Sequence, residues 1–295
     1  MKADYPRGYA FAFGASFALA ASFIFSKAAL NVIDMLRFGF VWFGSGMILN
    51  FGWMVFRKGF RIRTGKAAVQ TALIIAVVEG AATGLFYVAI QKMENPAVVS
   101  FIGNLGPVLV TLMGITLLKE RYSPLQVLGI LLTLTGVFAL SFNRGTQFSS
   151  LFQPGAEYVL LAAVLFSGAT VYARWKREDL DPELMSTLRS GLLFLFFTVL
   201  LSGEGFRVSM PGVVWLNLLA GSFLETLLTI VFAYQALRHI EAARTSLIIS
   251  LKGLWVLAGA FFFLDVFPEN YELIGGIASL VGVILLSIPR NRSKV

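Results

Sequence analysis

Apolar residues run through this chain in long blocks that short polar connections separate. A helix needs about 20 mostly apolar residues to cross the hydrocarbon of a bilayer. Ten segments meet this length, and together they predict an all-α polytopic membrane protein with ten transmembrane helices. Their approximate bounds are 8–29, 35–56, 67–92, 96–119, 123–142, 155–174, 182–203, 212–237, 241–263 and 271–289.

The first apolar run and the prolines refine these boundaries. The run from Gly8 to about Ala29 is longer than the apolar region of a secretory signal, and it resembles the runs that follow it. We therefore expect it to be the first membrane helix. Proline at the start of a span is tolerated, because its missing N–H is not needed there. The predicted starts of this kind are Asn95-Pro96, Ser123-Pro124 and Asp181-Pro182.

Composition supports the membrane assignment and excludes several kinds of site. Of the 295 residues, 57% are hydrophobic and 14% are charged, against about 45–50% and about 25% in soluble domains. The net charge of +8 does not indicate nucleic-acid binding, because the basic residues sit in short clusters between apolar runs. The chain has no cysteine and one histidine, His239, so we expect no disulfide, no metal site and no cofactor.

The basic residues also predict the orientation. If successive spans cross the membrane in alternating directions, seventeen Lys and Arg residues lie on the side of the N-terminus. Three, Lys92, Arg144 and Arg207, lie on the other side. Basic connections stay in the cytoplasm. We therefore expect both termini to be cytoplasmic, in the cell (inner) membrane, with 290–295 as a basic cytoplasmic tail.

The sequence repeats itself at an offset of 146 residues. The offset divides the chain into two repeats, 1–142 and 150–289, of five spans each. Because five is odd, the second repeat enters the membrane from the opposite side, so the two are inverted. Arg37 and Arg189 also correspond between the two repeats, although the offset of 146 residues does not relate them. The matched pairs are Glu79 and Glu225, Thr83 and Thr229, Phe86 and Phe232, Gly129 and Gly275, Gly136 and Gly282, Val137 and Val283, Leu140 and Leu286, and Ser141 and Ser287.

An ordered set of motifs resembles the drug/metabolite transporter superfamily, EamA type. The resemblance implies ten helices, a central cavity lined by the first, third, fourth, sixth, eighth and ninth of them, and alternating access. The second copy departs from the pattern: it lacks an equivalent of Pro107, has Lys252 nearby, and has Asp265 near the position of Glu120. The motifs are Ser26-Lys27 followed by Arg37, Asn95-Pro96-Ala97 through Gly106-Pro107, Leu117-Leu118-Lys119-Glu120, Gly129, and Gly136-Val137.

Three charges fall near the centres of their predicted spans, namely Glu79, Glu225 and Lys252. A charge at that depth costs roughly 2.5–3.5 kcal/mol even on the insertion scale, so such groups pair or face a polar cavity. We expect the two glutamates to face each other with Lys252 as their cationic neighbour. One glutamate can be protonated, or a zwitterionic substrate can place its amine on a glutamate and its carboxylate on Lys252. A purely structural ion network is the alternative.

Polar stripes at helical spacing complete the list of candidates. We expect these stripes to line one cavity, with Trp255 as the aromatic contact to substrate. A second group is expected to have structural or gating roles, with Pro107 kinking its span and with Arg37 and Arg189 near the ends of theirs. The substrate-binding or coupling candidates are Glu79, Thr83, Tyr87, Asn104, Glu225, Thr229, Lys252 and Trp255, and the structural or gating candidates are Lys27, Arg37, Pro107 and Arg189.

These observations predict a secondary transporter, an exporter of a small organic metabolite that is amino-acid-like, zwitterionic or amphiphilic. The chain has no phosphate-binding loop ending in Gly-Lys-Ser/Thr, so the coupling would be to protons or to exchange. The alternatives are a membrane-embedded enzyme, for which no catalytic motif is found, and a channel or membrane scaffold. The expected partners are the substrate and the bilayer, not nucleic acid, with the chain as a monomer or homodimer.

Overall fold

The computed structural model describes residues 4–59, 65–92, 102–141, 154–203, 210–264 and 269–288. These residues form helices and connections, without a strand among them. Each of the ten predicted spans contains helix, so the all-α polytopic fold is confirmed. The helices are α1 (Tyr5–Leu30), α2 (Met35–Lys58), α3 (Lys66–Lys92), α4 (Gly106–Leu117), α5 (Pro124–Ser141), α6 (Ala156–Trp175), α7 (Pro182–Ser202), α8 (Gly212–His239), α9 (Ala242–Ser250), α10 (Lys252–Leu264) and α11 (Asn270–Ser287).

Aspartates begin three of the long helices by accepting hydrogen bonds from backbone N–H groups that have no partner within the helix. Asp4 accepts one from Arg7 N at 3.2 Å, and Asp181 accepts one from Leu184 N at 3.2 Å. Asp34 accepts hydrogen bonds from the first turn of α2 and pairs with the Arg37 guanidinium at 2.5 Å. Burial alone would raise the pKa of Asp34, but these hydrogen bonds and the positive charge lower it.

The described helices pack into two compact units, and each unit draws helices from both sequence repeats. The first unit comprises residues 1–80 and 176–239, and the second comprises 81–175 and 240–295. Helix α3 passes from the first unit to the second after Gly80. The boundaries of the units therefore differ from those of the predicted repeats, 1–142 and 150–289, which stay a prediction about the sequence.

In the first unit, glycines of α2 let side chains of α7 and α8 pack close to the α2 backbone. A Cβ added at Gly44 would lie 2.8 Å from the Phe194 ring, and one added at Gly46 would lie 2.6 Å from Thr226 Oγ1. Without a strong hydrophobic force between helices in lipid, such close packing is what holds membrane helices together.

In the second unit, α5 and α11 cross so closely that glycine meets glycine. A Cβ at Gly129 would lie 2.6 Å from Gly282 O, and one at Gly136 would overlap Gly275 O. The offset of 146 residues relates Gly136 to Gly282 and Gly129 to Gly275. Each glycine therefore contacts the repeat image of the other, which is the contact pattern of a twofold axis between antiparallel helices. Contacts of this kind are what the predicted inverted relation of the two repeats requires.

The fourth and ninth spans are interrupted at repeat-related positions. A turn at Asn104 and Leu105 precedes α4, and Leu251, which the offset relates to Leu105, separates α9 from α10. The break lies in the residues just before Pro107, where a proline ring disfavours helix, so the interruption expected at Pro107 takes the form of a new helix start rather than a kink. Pro107 is the second residue of α4, in the first turn, where no hydrogen bond is lost. Lys252 is the first residue of α10 rather than the middle of one long helix.

Glu120 joins the end of the fourth span to the start of α9. Its Oε1 accepts a hydrogen bond from Ala242 N at 2.9 Å, and its Oε2 accepts one from the Tyr122 hydroxyl at 2.6 Å. Gly114 leaves room for this carboxylate, since a Cβ there would lie 2.6 Å from Oε2. Burial and the neighbouring Glu120 charge raise the pKa of the Tyr122 hydroxyl. The carboxylate thus satisfies a backbone donor that the start of α9 leaves open.

The glycine crossing predicts opposite effects for two Gly→Ala substitutions. Alanine favours a helix over glycine by up to about 1 kcal/mol, but at Gly136 the added methyl group overlaps backbone and costs about 1–3 kcal/mol. Gly136→Ala should therefore lower the melting temperature of the detergent-purified protein. Gly168→Ala, where no atom lies within 4 Å of the added Cβ, should leave it unchanged or raise it. Equal melting temperatures for both variants would refute the crossing.

Candidate functional site

Within the first unit, one arginine forms ion pairs with two glutamates. Arg189 Nε lies 2.9 Å from Glu79 Oε2, and its Nη2 lies 3.6 Å from Glu225 Oε1. The glutamates come from α3 and α8, and the arginine comes from α7, about 10 Å along that helix from its first residue. The side chains of Arg189 and Glu79 are about nine-tenths buried, with 9% and 11% of their surface exposed. We call these three residues the triad.

A π-helical segment places Glu225 in the triad. Residues Phe223–Thr229 of α8 adopt this wider helix, and the Thr229 hydroxyl donates to Leu224 O, five residues earlier, at 2.9 Å. Single π-helical turns inside α-helices occur frequently at functional sites. The extra residue in the turn changes which side of α8 carries Glu225.

A polar cluster fixes this π-helical segment against α2 and α7. Asn50 Nδ2 donates to Ser190 Oγ at 3.2 Å and to Thr226 Oγ1 at 3.3 Å. The Ser186 hydroxyl is within hydrogen-bonding distance of both Asn50 Oδ1, at 2.8 Å, and the Thr226 carbonyl oxygen. All four side chains are fully buried. Interhelical hydrogen bonds of this kind hold membrane helices in register.

Two aromatic side chains hydrogen-bond to the carboxylates. The Tyr234 hydroxyl donates to Glu79 Oε1 at 2.7 Å, and the Trp42 indole N–H donates to Glu225 Oε2 at 2.6 Å. Gly221 makes room for Trp42, since any Cβ there would overlap the indole ring. The Arg189 guanidinium lies 6.0 Å from the centre of the Phe43 ring, within the range of a cation–π interaction.

The charges of the triad do not cancel. Two ionised carboxylates and one guanidinium carry a net charge of −1, in a part of the protein that is largely shielded from water. Such a site attracts one further positive charge, either a proton or a cationic group, because burial penalises an uncompensated charge.

Comparisons with known proteins decide the family of the chain. The sequence profile of the EamA-like transporter family matches residues 6–142 and again 153–288. The chain belongs to the EamA-like transporter family. It is therefore a multi-pass membrane protein and a transporter rather than an enzyme.

Relatives of this EamA-like transporter have the same general description. An uncharacterized transporter of Archaeoglobus fulgidus is 25% identical over 92% of this chain and 94% of its own. The uncharacterized transporter YxxF of Bacillus subtilis is 22% identical over 64% of this chain and 60% of its own. A solved structure titled only as a crystal structure of a protein superposes with a TM-score of 0.78 over 95% of this chain and 96% of its own. At 14% identity, that structure supports the fold alone.

The structure gives the two glutamates a cation that the sequence did not suggest for them. Their ionic partner is Arg189, which we expected near the end of its span. Counting from Pro182 placed Arg189 close to the membrane surface, but its side chain is buried among α2, α3 and α8. Lys252 belongs to the second unit, and so does Trp255.

The other predicted candidates lie in several places in the EamA-like transporter. Thr229 is buried and bonded within its own helix, and Arg37, the repeat match of Arg189, pairs with Asp34 at the start of α2. Lys27 lies in the last turn of α1. Thr83 and Asn104 are half-buried residues of the second unit, and the side chain of Tyr87 lies outside the described residues.

Sequence reasoning missed Trp42 and Tyr234, the hydrogen-bond donors to the triad. Neither residue is among the candidates that the sequence predicts. The spacing of Tyr234 from Glu225, nine residues in the same span, gave no signal, because nine residues rotate an α-helix by about two and a half turns. No sequence feature identifies which carboxylate an indole N–H contacts.

The triad predicts that removing the arginine is far more harmful than removing one acid. Arg189→Gln leaves two buried carboxylates without their cation and should cost about 3–5 kcal/mol. We expect a loss of monodisperse protein in fluorescence-detected size-exclusion chromatography. The double variant Arg189→Gln with Glu79→Gln should recover part of that loss. Wild-type behaviour of Arg189→Gln alone would refute the ion pairs.

Proposed function

We propose that this EamA-like transporter exports a small organic metabolite with an ammonium group, most simply a zwitterion of the amino-acid type, by alternating access. The observation that carries the proposal is the buried triad, in which two carboxyl groups share one guanidinium. Ionisable groups that deep in a membrane protein are expensive and usually mark a substrate or ion pathway. Membership of a transporter family supports the same conclusion.

The geometry of the triad offers both halves of a zwitterion a partner. The excess carboxylate charge suits an ammonium group, which replaces its lost water by ion pairing. Arg189 Nη1 is buried and has no hydrogen-bond acceptor among the described residues, so it can donate to a substrate carboxylate. Lys252, at the start of α10, remains a proposed second contact for an anionic group.

Energy for export would come from a gradient rather than from ATP. The sequence has no phosphate-binding loop. We propose that the transporter exchanges its substrate for a proton or for a second solute, since the single excess negative charge of the triad can accept one cation at a time. Inverted repeats are a common basis for alternating access in carriers of this kind.

The proposal is tested by solute exchange in proteoliposomes. A metabolite screen for ligands that raise the melting temperature of the purified protein first supplies a substrate. Glu225→Gln removes the negative charge that receives the ammonium group, and it should reduce the exchange of that substrate at least about tenfold while the protein still inserts. Glu178→Gln, at an exposed glutamate between α6 and α7, is the control and should exchange normally. Undiminished exchange by Glu225→Gln would contradict the proposal.

We also propose that both termini face the cytoplasm of the inner membrane. The absence of cysteine makes this directly testable, because each introduced cysteine is unique. Lys66 and Lys92 are exposed at the two ends of α3. In intact cells an impermeant maleimide should label Lys92→Cys, whereas it should label Lys66→Cys only after permeabilisation. The reverse pattern would show the opposite orientation.

A further inference from the structure

The two glutamates of the triad hold the arginine unequally. Glu79 Oε2 lies 2.9 Å from the guanidinium, whereas Glu225 Oε1 lies 3.6 Å from it. The Glu225 side chain is also twice as exposed, at 22% against 11%. Although the repeat relates these residues, their surroundings have made them different.

The individual oxygen atoms show the same difference. Both oxygens of Glu79 have a partner within 3 Å, namely Arg189 Nε and the Tyr234 hydroxyl. Only one oxygen of Glu225 has such a partner, the Trp42 indole N–H. An indole N–H can only donate, so Oε2 stays an acceptor in either protonation state. A proton on Oε1 of Glu225 would therefore disrupt fewer hydrogen bonds and ion pairs than a proton on any other carboxylate oxygen of the triad.

Protonating the two glutamates has different consequences for Arg189. A proton on Glu225 Oε1 converts that carboxylate to a neutral acid, leaves the 2.9 Å pair with Glu79 intact and brings the net charge of the triad from −1 to zero. A proton on Glu79 would leave the arginine with only the 3.6 Å contact. We propose that Glu225 is the group that binds and releases the coupling proton, and that Glu79 is the fixed counter-ion of Arg189.

The charged groups on the surrounding helices agree with this division. On α7, the charged residues are Arg189 itself and Glu183, which pairs with Lys58 at the end of α2. The charges of α1 and α2 lie in their first or last turns. Among the described residues, Arg189 is the only ion-pair partner recorded for Glu225. The charged groups nearest to Glu225 are thus Arg189 and, through it, Glu79, whose other oxygen accepts a hydrogen bond from the Tyr234 hydroxyl.

The consequence for transport is competition. A proton and a substrate ammonium group cannot occupy the Glu225 carboxylate together, so the protein would carry one or the other in each direction. Only this coupling role rests on the proposed function, because proton binding by Glu225 does not require a substrate.

Infrared difference spectroscopy tests the assignment with protons as the only ligand. Purified protein in a hydrated lipid film is taken from alkaline to acidic buffer, and the C=O stretch of newly protonated carboxyl groups is recorded. Wild-type protein should show one such band, equivalent to one carboxyl group per chain, and Glu225→Gln, whose triad carries no excess negative charge, should lose it. A spectrum of Glu225→Gln that keeps every wild-type band would overturn the proposal.

A second pair of variants keeps all three charged groups of the triad and decides which glutamate takes the proton. Trp42→Phe removes the hydrogen bond to Glu225 and should shift the frequency of the band. Tyr234→Phe removes the hydrogen bond to Glu79 and should leave the band in place. A shift in Tyr234→Phe without one in Trp42→Phe would assign the proton to Glu79 and overturn the proposal. Failure of the proposed function would be seen separately, as absence of solute exchange by the wild-type protein.

Discussion

A guanidinium buried at membrane depth and shared by two carboxylates is the constraint on which the first unit depends. An isolated charge there would be prohibitively costly, so α3, α7 and α8 must keep Glu79, Arg189 and Glu225 together. The π-helical segment, the hydrogen bond from Trp42 and the polar cluster around Asn50 all keep Glu225 in place. A buried ion pair adds little net stability compared with apolar packing, which is why we interpret the triad as a functional feature.

The repeat explains where the triad came from and also why it is asymmetric. The offset of 146 residues relates Glu79 to Glu225, and at the α5–α11 crossing the same offset still produces near-symmetric contacts between glycines. The arginines, however, have diverged. Arg37 pairs with Asp34 at the start of α2, while Arg189 serves both glutamates. Two repeat-related acids and one cation give a single excess charge when both acids are ionised, which a symmetric arrangement with two arginines would cancel.

The fold could be predicted from the sequence because hydropathy, proline positions and the distribution of basic residues all depend on one variable, depth in the bilayer. The site could be predicted only in part. The mid-span glutamates stood out because charge is rare at that depth, but hydropathy does not show which way a side chain faces. Arg189 was therefore expected near the membrane surface rather than between the two acids. The breaks at Leu105 and Leu251 and the π-helical turn at Glu225 carry no hydropathy signal, because they change backbone geometry without changing polarity.

An experimental structure of the protein in a lipid nanodisc, at a resolution that shows side chains, tests the triad most directly. We expect the Arg189 guanidinium to lie between the two carboxylates, within ion-pair distance of both, and closer to Glu79 than to Glu225. Arg189 directed toward lipid head groups, with the two glutamates on different cations or facing lipid, would contradict this expectation.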